Sequence, residues 1–196
     1  MSKIKTTDKN SKREIIIVQA AKLFKEKGFK AASMRELATA VGVEAASLYN
    51  HIESKNDLLN AICMNVANRY TSNIDNIENE RSTVIDKFEK LLRFHVKEML
   101  VNYEEVYVTD HDWRNMQEPH LSEYREMRRN YRKRFAAIVQ RGIDEKEIKP
   151  IDANTIVMIS INAIGAVDQW HRIVHKVDSQ DLEDNIVTIL VDGIRN

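Results

Sequence analysis

Proline occurs twice and glycine five times in 196 residues, and cysteine once, at Cys63. So few chain breakers exclude a fold of many short strands joined by tight turns, and they favour long helices with short connections. A lone cysteine excludes an internal disulfide framework and suits a reduced, cytoplasmic setting, where its ordinary role is that of a small buried apolar residue. No apolar run approaches the roughly 18 residues of a membrane span. The opening MSKIKTTDKNSKRE carries charge without a following apolar segment of signal-peptide length, so no membrane partner is expected. Net charge is zero, but its distribution is uneven. Residues 1–60 hold 11 Lys and Arg against 7 Asp and Glu, and the remainder holds 19 against 23. A basic front on an acidic body points towards nucleic-acid contact.

What is present is helical periodicity. After a polar tail, expected to be flexible over residues 1–10, Ile17, Ala20, Ala21 and Phe24 fall at i, i+3, i+4 and i+7. That stripe predicts a helix from Ser11 to Gly28. Ser33 then precedes Met34, Leu37, Ala38 and Val41, and Glu36 completes a capping box that fixes where a second helix begins. Gly42 ends it. A short third helix is expected over Ala45–His51, and a fourth, capped by Ser54, runs to about Ile77. Five more follow, over Thr83–Asn102, Glu104–Met116, His120–Glu145, Asp152–Lys176 and Ser179–Ile194. With no strand alternation, the fold class is all-α.

Helix, glycine turn and short second helix make a helix-turn-helix, whose second helix enters the major groove. Leu37, Ala38, Val41, Val43, Leu48 and Ile52 are expected to pack inward, leaving Glu44, Ala45, Ala46, Ser47, Tyr49 and Asn50 outward. Small side chains at 45–47 let the backbone approach DNA, and Ser47 can bond a base edge or phosphate. Tyr49 and His51 can donate to phosphate oxygens, and Lys55, in the first turn of the fourth helix, is the expected phosphate clamp. Ser33 and Arg35 complete the candidate DNA-binding set. A plain three-helix packing unit with solvated polar residues is the structural alternative.

The stretch AAKLFKEKGFKAASMRELATAVGVEAASLYNHIESKNDLL, Ala20 to Leu59, resembles the N-terminal domain of TetR-family transcriptional regulators. The resemblance rests on Leu23-Phe24, Gly28-Phe29, Ser33, Leu37-Ala38, Gly42-Val43, Leu48-Tyr49 and Lys55-x-x-Leu58-Leu59; Ile52 stands where the family usually has Phe. It implies a DNA-binding domain over 11–56 and a larger ligand-binding and dimerisation domain over 57–196. The implied partners are a double-stranded DNA operator, a second copy of the chain and a small-molecule effector. The implied role is a repressor released from a palindromic operator.

The residues support pairing independently. Leu182, Ile186, Ile189, Leu190 and Gly193 form one stripe of the last helix and Val187, Val191 and Ile194 a second, and the preceding helix is apolar around nearly its whole circumference. Helices apolar on more than one face need more than one partner. Ile156, Ile159, Ile164, Ile186, Ile189 and Leu190 are the candidate dimer contacts.

For the effector, the candidates are His111, Trp113, Arg128, Tyr131, Asn162 and Trp170. Trp113 and Trp170 are the only tryptophans, each beside His and Arg, a mixed lining that suits either a pocket or a core with a polar rim. Arg125, Arg128, Arg129 and Arg132 flank the apolar face of one helix, as a solvated edge or as donors to an anionic group. Residues 128–172 also resemble the C-terminal region of steroid-catabolism and fatty-acid-degradation repressors, through Tyr131, Phe135, Arg141-Gly142-Ile143 and Trp170-x-Arg172. That resemblance implies an acyl-CoA thioester as effector; another hydrophobic or drug-like metabolite is the alternative.

An enzyme reading finds little. His111-Asp112 is the pair a metal-dependent hydrolase would use, and His171 with His175 has i, i+4 metal spacing. The second pair lacks the adjacent Glu of zinc hydrolases, and no phosphate loop or supported nucleophile is present. No catalytic residue, metal or cofactor is assigned.

Overall fold

The computed structural model describes residues 7–173 and 177–196, with side chains from Lys12 onward. Among the described residues the regular elements are all helices: α1 (Thr7–Lys27), α2 (Met34–Val41), α3 (Ala45–Leu48), α4 (Lys55–Asn79), α5 (Val84–Val101), α6 (Tyr103–Asp112), a 3-10 turn (Trp113–Asn115), α7 (His120–Asp144), α8 (Ala153–Gly165), α9 (Val167–Trp170) and α10 (Ser179–Ile194). No helix among the described residues is long and apolar enough to cross a membrane.

The helix starts follow from side chains that satisfy free backbone donors. Thr83 accepts the Asp86 N–H at the head of α5, Asp152 accepts the Thr155 N–H at α8, and Asp178 accepts the Gln180 N–H at α10. The expected capping box at α2 forms in full: the Ser33 hydroxyl accepts the Glu36 N–H while the Glu36 carboxylate accepts the Ser33 N–H. Gly42 closes α2 with φ of 77°, a left-handed conformation that a side chain would strain.

Three elements differ from the sequence expectation. α1 begins at Thr7, inside the expected tail. α3 has four residues and gives way to turns before His51. The helix expected over 152–176 ends at Gly165, and α9 follows as a separate turn. Gly165 is a weak helix former, and α9 is held elsewhere: Tyr103 Oη donates to Asp168 and the His171 ring meets the Met99 carbonyl at 2.8 Å. His175 and Lys176 lie outside the described residues, and with them the His171/His175 metal spacing.

The chain divides into two compact units: the described part of Met1–Val66 with Glu104–Tyr124, and Ala67–Tyr103 with Arg125–Asn196. In the first, α1 packs on α2 and α2 on α3, around Ala20, Ala21, Phe24, Leu37, Leu48 and Leu58, all buried. Val106, Val108 and Met116 are buried as well. In the second, α5 packs against α8, α9 and α10. Its inward face carries Phe88, Leu91, Leu92 and Val96, and Phe135, Val157 and Val187 are buried in the same unit.

Candidate functional site

Leu48 and Ile52 are buried and hold α3 and the turn after it against the first unit's core. Between and around these anchors, Glu44, Ala46, Ser47, Tyr49 and Asn50 are exposed and Ala45 is half-buried. Tyr49 stands out: a phenol 55% exposed beside a fully buried leucine is placed for an external contact. Arg35 is exposed in the first turn of α2. His51 is half-buried, and its Nδ1 meets no hydrogen-bond partner among the described residues. Val43, expected in the core, is 40% exposed, because Gly42 turns the chain outward before α3.

Two expected DNA contacts are committed to the protein. Lys55 Nζ donates to the carbonyls of Phe29 at 2.8 Å, Lys30 at 3.1 Å and Ala32 at 2.9 Å. An ammonium has three donors, so none is left for a phosphate; Lys55 fastens the α1–α2 loop instead. The Ser33 hydroxyl and backbone N–H both donate to Glu36 Oε2. Hydrogen bonds from Lys27 and Ser33 draw the Glu36 carboxyl down to about 2, so the acceptor stays ionised and Ser33 stays engaged as the α2 cap.

The candidate effector residues fall in different units. His111 and Trp113 belong to the first. The exposed His111 ring stacks on Tyr107 at 4.0 Å and bonds the Tyr107 carbonyl, while half-buried Trp113 lies against Tyr124 with the Arg114 guanidinium over its ring. Asp112 instead accepts from the Phe29 N–H and from Asn115, so the His111-Asp112 pair expected of a hydrolase is turned to separate partners.

Arg128, Tyr131, Asn162 and Trp170 belong to the second unit. Arg128 is half-buried on α7. Tyr131 is buried, and its hydroxyl lies 2.7 Å from His95 Nε2. Tyr70 meets both rings edge-on. Burial pushes the His95 imidazole down to about 3 and the Tyr131 phenol well above its usual range, so both are neutral. Trp170 is half-buried and donates from Nε1 to the Val177 carbonyl. Asn162 is exposed and donates to Met158 O of its own helix. It shares the outer face of α8 with Met158 and Ile159.

The sequence reading missed the buried polar residues of α5: Lys87, His95 and Glu98. Lys87 donates to the Glu78 carbonyl near the end of α4, and Glu98 pairs with Arg69 at 2.8 Å and accepts from Asn102. The signal was available, because these positions fall on the same helical face as Phe88, Leu91, Leu92 and Met99.

The candidate dimer residues divide too. Ile156 and Ile164 are 3% and 2% exposed, buried by their own chain, and are removed from the set. Ile159 and Ile189 are 54% and 71% exposed, and Ile186 and Leu190 are half-buried.

Comparison with known proteins agrees with this arrangement. Residues 16–62 match the family described as bacterial regulatory proteins, tetR family, and residues 81–194 match the tetracyclin repressor-like C-terminal domain. The HTH-type transcriptional repressor KstR2 of Mycobacterium tuberculosis is 23% identical, with 94% of each chain covered. A solved structure of the ketosteroid transcriptional regulator KstR2 of Mycobacterium tuberculosis superposes with a TM-score of 0.88 at 19% identity, covering 95% of this chain and 96% of that one. A crystal structure of AibR in complex with isovaleryl coenzyme A and operator DNA gives 0.79 at 18% identity, covering 92% and 98%. With a capped helix, a glycine turn and an outward α3 at its front, and a family match over most of the helices behind them, the chain belongs to the TetR family of bacterial regulatory proteins.

Proposed function

We propose that the chain is a homodimeric, ligand-responsive repressor that holds a palindromic operator and leaves it when a small effector binds. The observation that carries the reading is the presentation of α3. Leu48 and Ile52 fix it from below while Ala46, Ser47, Tyr49 and Asn50 stand exposed. A rigid element with small and hydrogen-bonding residues on its free face is what groove readout needs. Arg35 supplies the nearby positive charge.

Pairing is supported by the outer faces of α8 and α10, where Met158, Ile159 and Ile189 are apolar and more than half exposed. A C2 arrangement would cover them and fix the separation of two recognition segments, about 34–36 Å for successive turns of one duplex face.

For the effector we favour an acyl-CoA thioester, on the sequence resemblance and on AibR, whose structure holds isovaleryl coenzyme A. α4 carries residues of both units, so an effector that moves its C-terminal half alters the frame of its N-terminal half.

The test is operator affinity titrated against a series of acyl-CoA thioesters of increasing chain length, with free coenzyme A as control. Weakening by at least about tenfold, equivalent to ~1.4 kcal/mol of coupling, is expected for one member. Unchanged affinity across the series rejects this effector class.

A further inference from the structure

Five residues, 28–32, join α1 to Ser33, the cap of α2, and this loop is gripped from two sides. On its carbonyl side, Lys55 takes the oxygens of Phe29, Lys30 and Ala32. On its amide side, the Phe29 N–H donates to Asp112 Oδ2 at 3.3 Å. The Phe29 ring is buried, edge-on to Phe24 at 5.3 Å, with Lys55 Nζ 4.7 Å from its centroid. Asp112 is itself held, since Asn115 Nδ2 donates to its Oδ1 and its carbonyl at 3.2 Å each. Asp112 closes α6, which from Glu104 onward belongs to the same compact unit as α1–α3, although residues 67–103 separate the two stretches in the chain.

We infer that Asp112 is a positioning residue for DNA recognition, acting through the Phe29 amide to fix the loop from which α2, and after it α3, is launched. The inference rests on the DNA-binding reading above. Its logic is local. Ser33 caps α2 immediately after the loop, so a shift at Phe29 is carried into the first turn of α2. Lys55 restrains the carbonyl side of the loop. Asp112 supplies the restraint from the opposite side.

Electrostatics gives the test a distinctive sign. Asp112 is an acidic group in a unit proposed to approach phosphates. If charge alone mattered, removing it would tighten binding. The positioning role predicts the reverse for Asp112→Ala. Asp112→Asn keeps an acceptor for the Phe29 N–H and gives up at most the side-chain bond from Asn115, whose Nδ2 can still donate to the residue-112 carbonyl.

The experiment uses the full-length protein and the DNA fragment that the wild type selects from sheared genomic DNA. Binding is followed by fluorescence anisotropy at several salt concentrations, with thermal melting of every variant. Asp112→Ala should weaken binding about tenfold, the effect of losing one hydrogen bond to a charged acceptor, with the salt slope unchanged because no phosphate contact is lost. Asp112→Asn should stay within about twofold of the wild type or bind tighter, and Asn115→Ala should weaken binding by about two- to threefold at a wild-type slope. Equal or tighter binding by Asp112→Ala overturns the inference, as does an Asp112→Asn loss as large as that of Ala. If Asp112→Ala does not fold, the other two variants decide: Asn115→Ala binding as wild type, or Asp112→Asn binding weakly, overturns it. A wild type that selects no fragment defeats the DNA-binding reading itself, an outcome distinct from any ordering of the variants.

Discussion

His95 shows how one residue can set a condition on stability. Its imidazole is buried against Tyr131 and held near 3, against an ordinary 6.5. The unfolded chain therefore binds this proton more readily than the folded one. No stability is lost to this group above about pH 7, and loss grows as pH falls through 6.5 at about 1.4 kcal/mol per unit. His95→Gln can keep a hydrogen bond to Tyr131 without titrating. Its deficit relative to the wild type in chemical denaturation should shrink between pH 7 and pH 5; parallel pH dependences would contradict the assignment.

Lys55 and Arg35 make a second contrast at this scale. Lys55→Met should lower stability by about 1.5–3 kcal/mol, as expected for hydrogen bonds from a charged donor, and leave the salt slope of DNA binding near the wild-type value. Arg35→Ala should do the reverse, with little change in stability and a slope reduced by about one. The sequence could not separate the two: a lysine at a helix start reads as a phosphate ligand, and only the fold reveals three carbonyls within its reach.

Among the elements, α7 and its neighbours leave no room at Gly142. A Cβ there would lie 2.6 Å from Ile148 Cδ1 and 3.0 Å from Val84 Cγ1. Gly142→Ala should destabilise by about 1–3 kcal/mol through overpacking, despite alanine's better helix propensity. Gly165, with nothing within 4 Å of its hypothetical Cβ, is the control, and its alanine variant should be neutral or more stable by up to about 1 kcal/mol. Thermal melts of the two separate the contributions; equal shifts would contradict the packing argument. Helix positions were legible from periodicity and the start of α2 from the Ser33–Glu36 box, whereas the Thr83 and Asp178 caps came only with the structure. The break at Gly165 was not, because a run of apolar residues conceals a turn that distant partners at Tyr103 and Met99 stabilise.

The outer faces of α8 and α10 follow the same lesson. Periodicity marked both helices as apolar on several sides, but it could not say which side the chain covers itself. Ile156 and Ile164 went inward; Ile159 and Ile189 did not. Combined Ile159→Glu and Ile189→Asp substitutions should therefore yield a folded monomer by analytical ultracentrifugation, whereas Ile156→Val should cost about 0.5–1.5 kcal/mol of stability and leave association intact. A doubly substituted protein that still dimerises would move the interface elsewhere.

For the whole molecule, family and fold were legible early because the motif from Leu23 to Leu59 is dense in constrained positions: two turn glycines, a cap and the buried leucines of four helices. The effector region was not. Its residues are scattered over α6, the 3-10 turn, α7, α8 and α9, and several are engaged within the chain, as Asn162 is by Met158 and Tyr131 by His95.

The central claim is that the front unit reads DNA sequence from the exposed side of α3. Selection of fragments from sheared genomic DNA, followed by affinity measurements on the selected sites at several salt concentrations, tests it most directly. The expected result is a small set of fragments sharing an inverted repeat, bound on the order of 10³-fold or more tighter than random DNA, with affinity falling as salt rises and preference altered by Tyr49→Ala or Asn50→Ala. Uniform weak binding to all fragments, or a preference indifferent to substitutions at Tyr49 and Asn50, would contradict it.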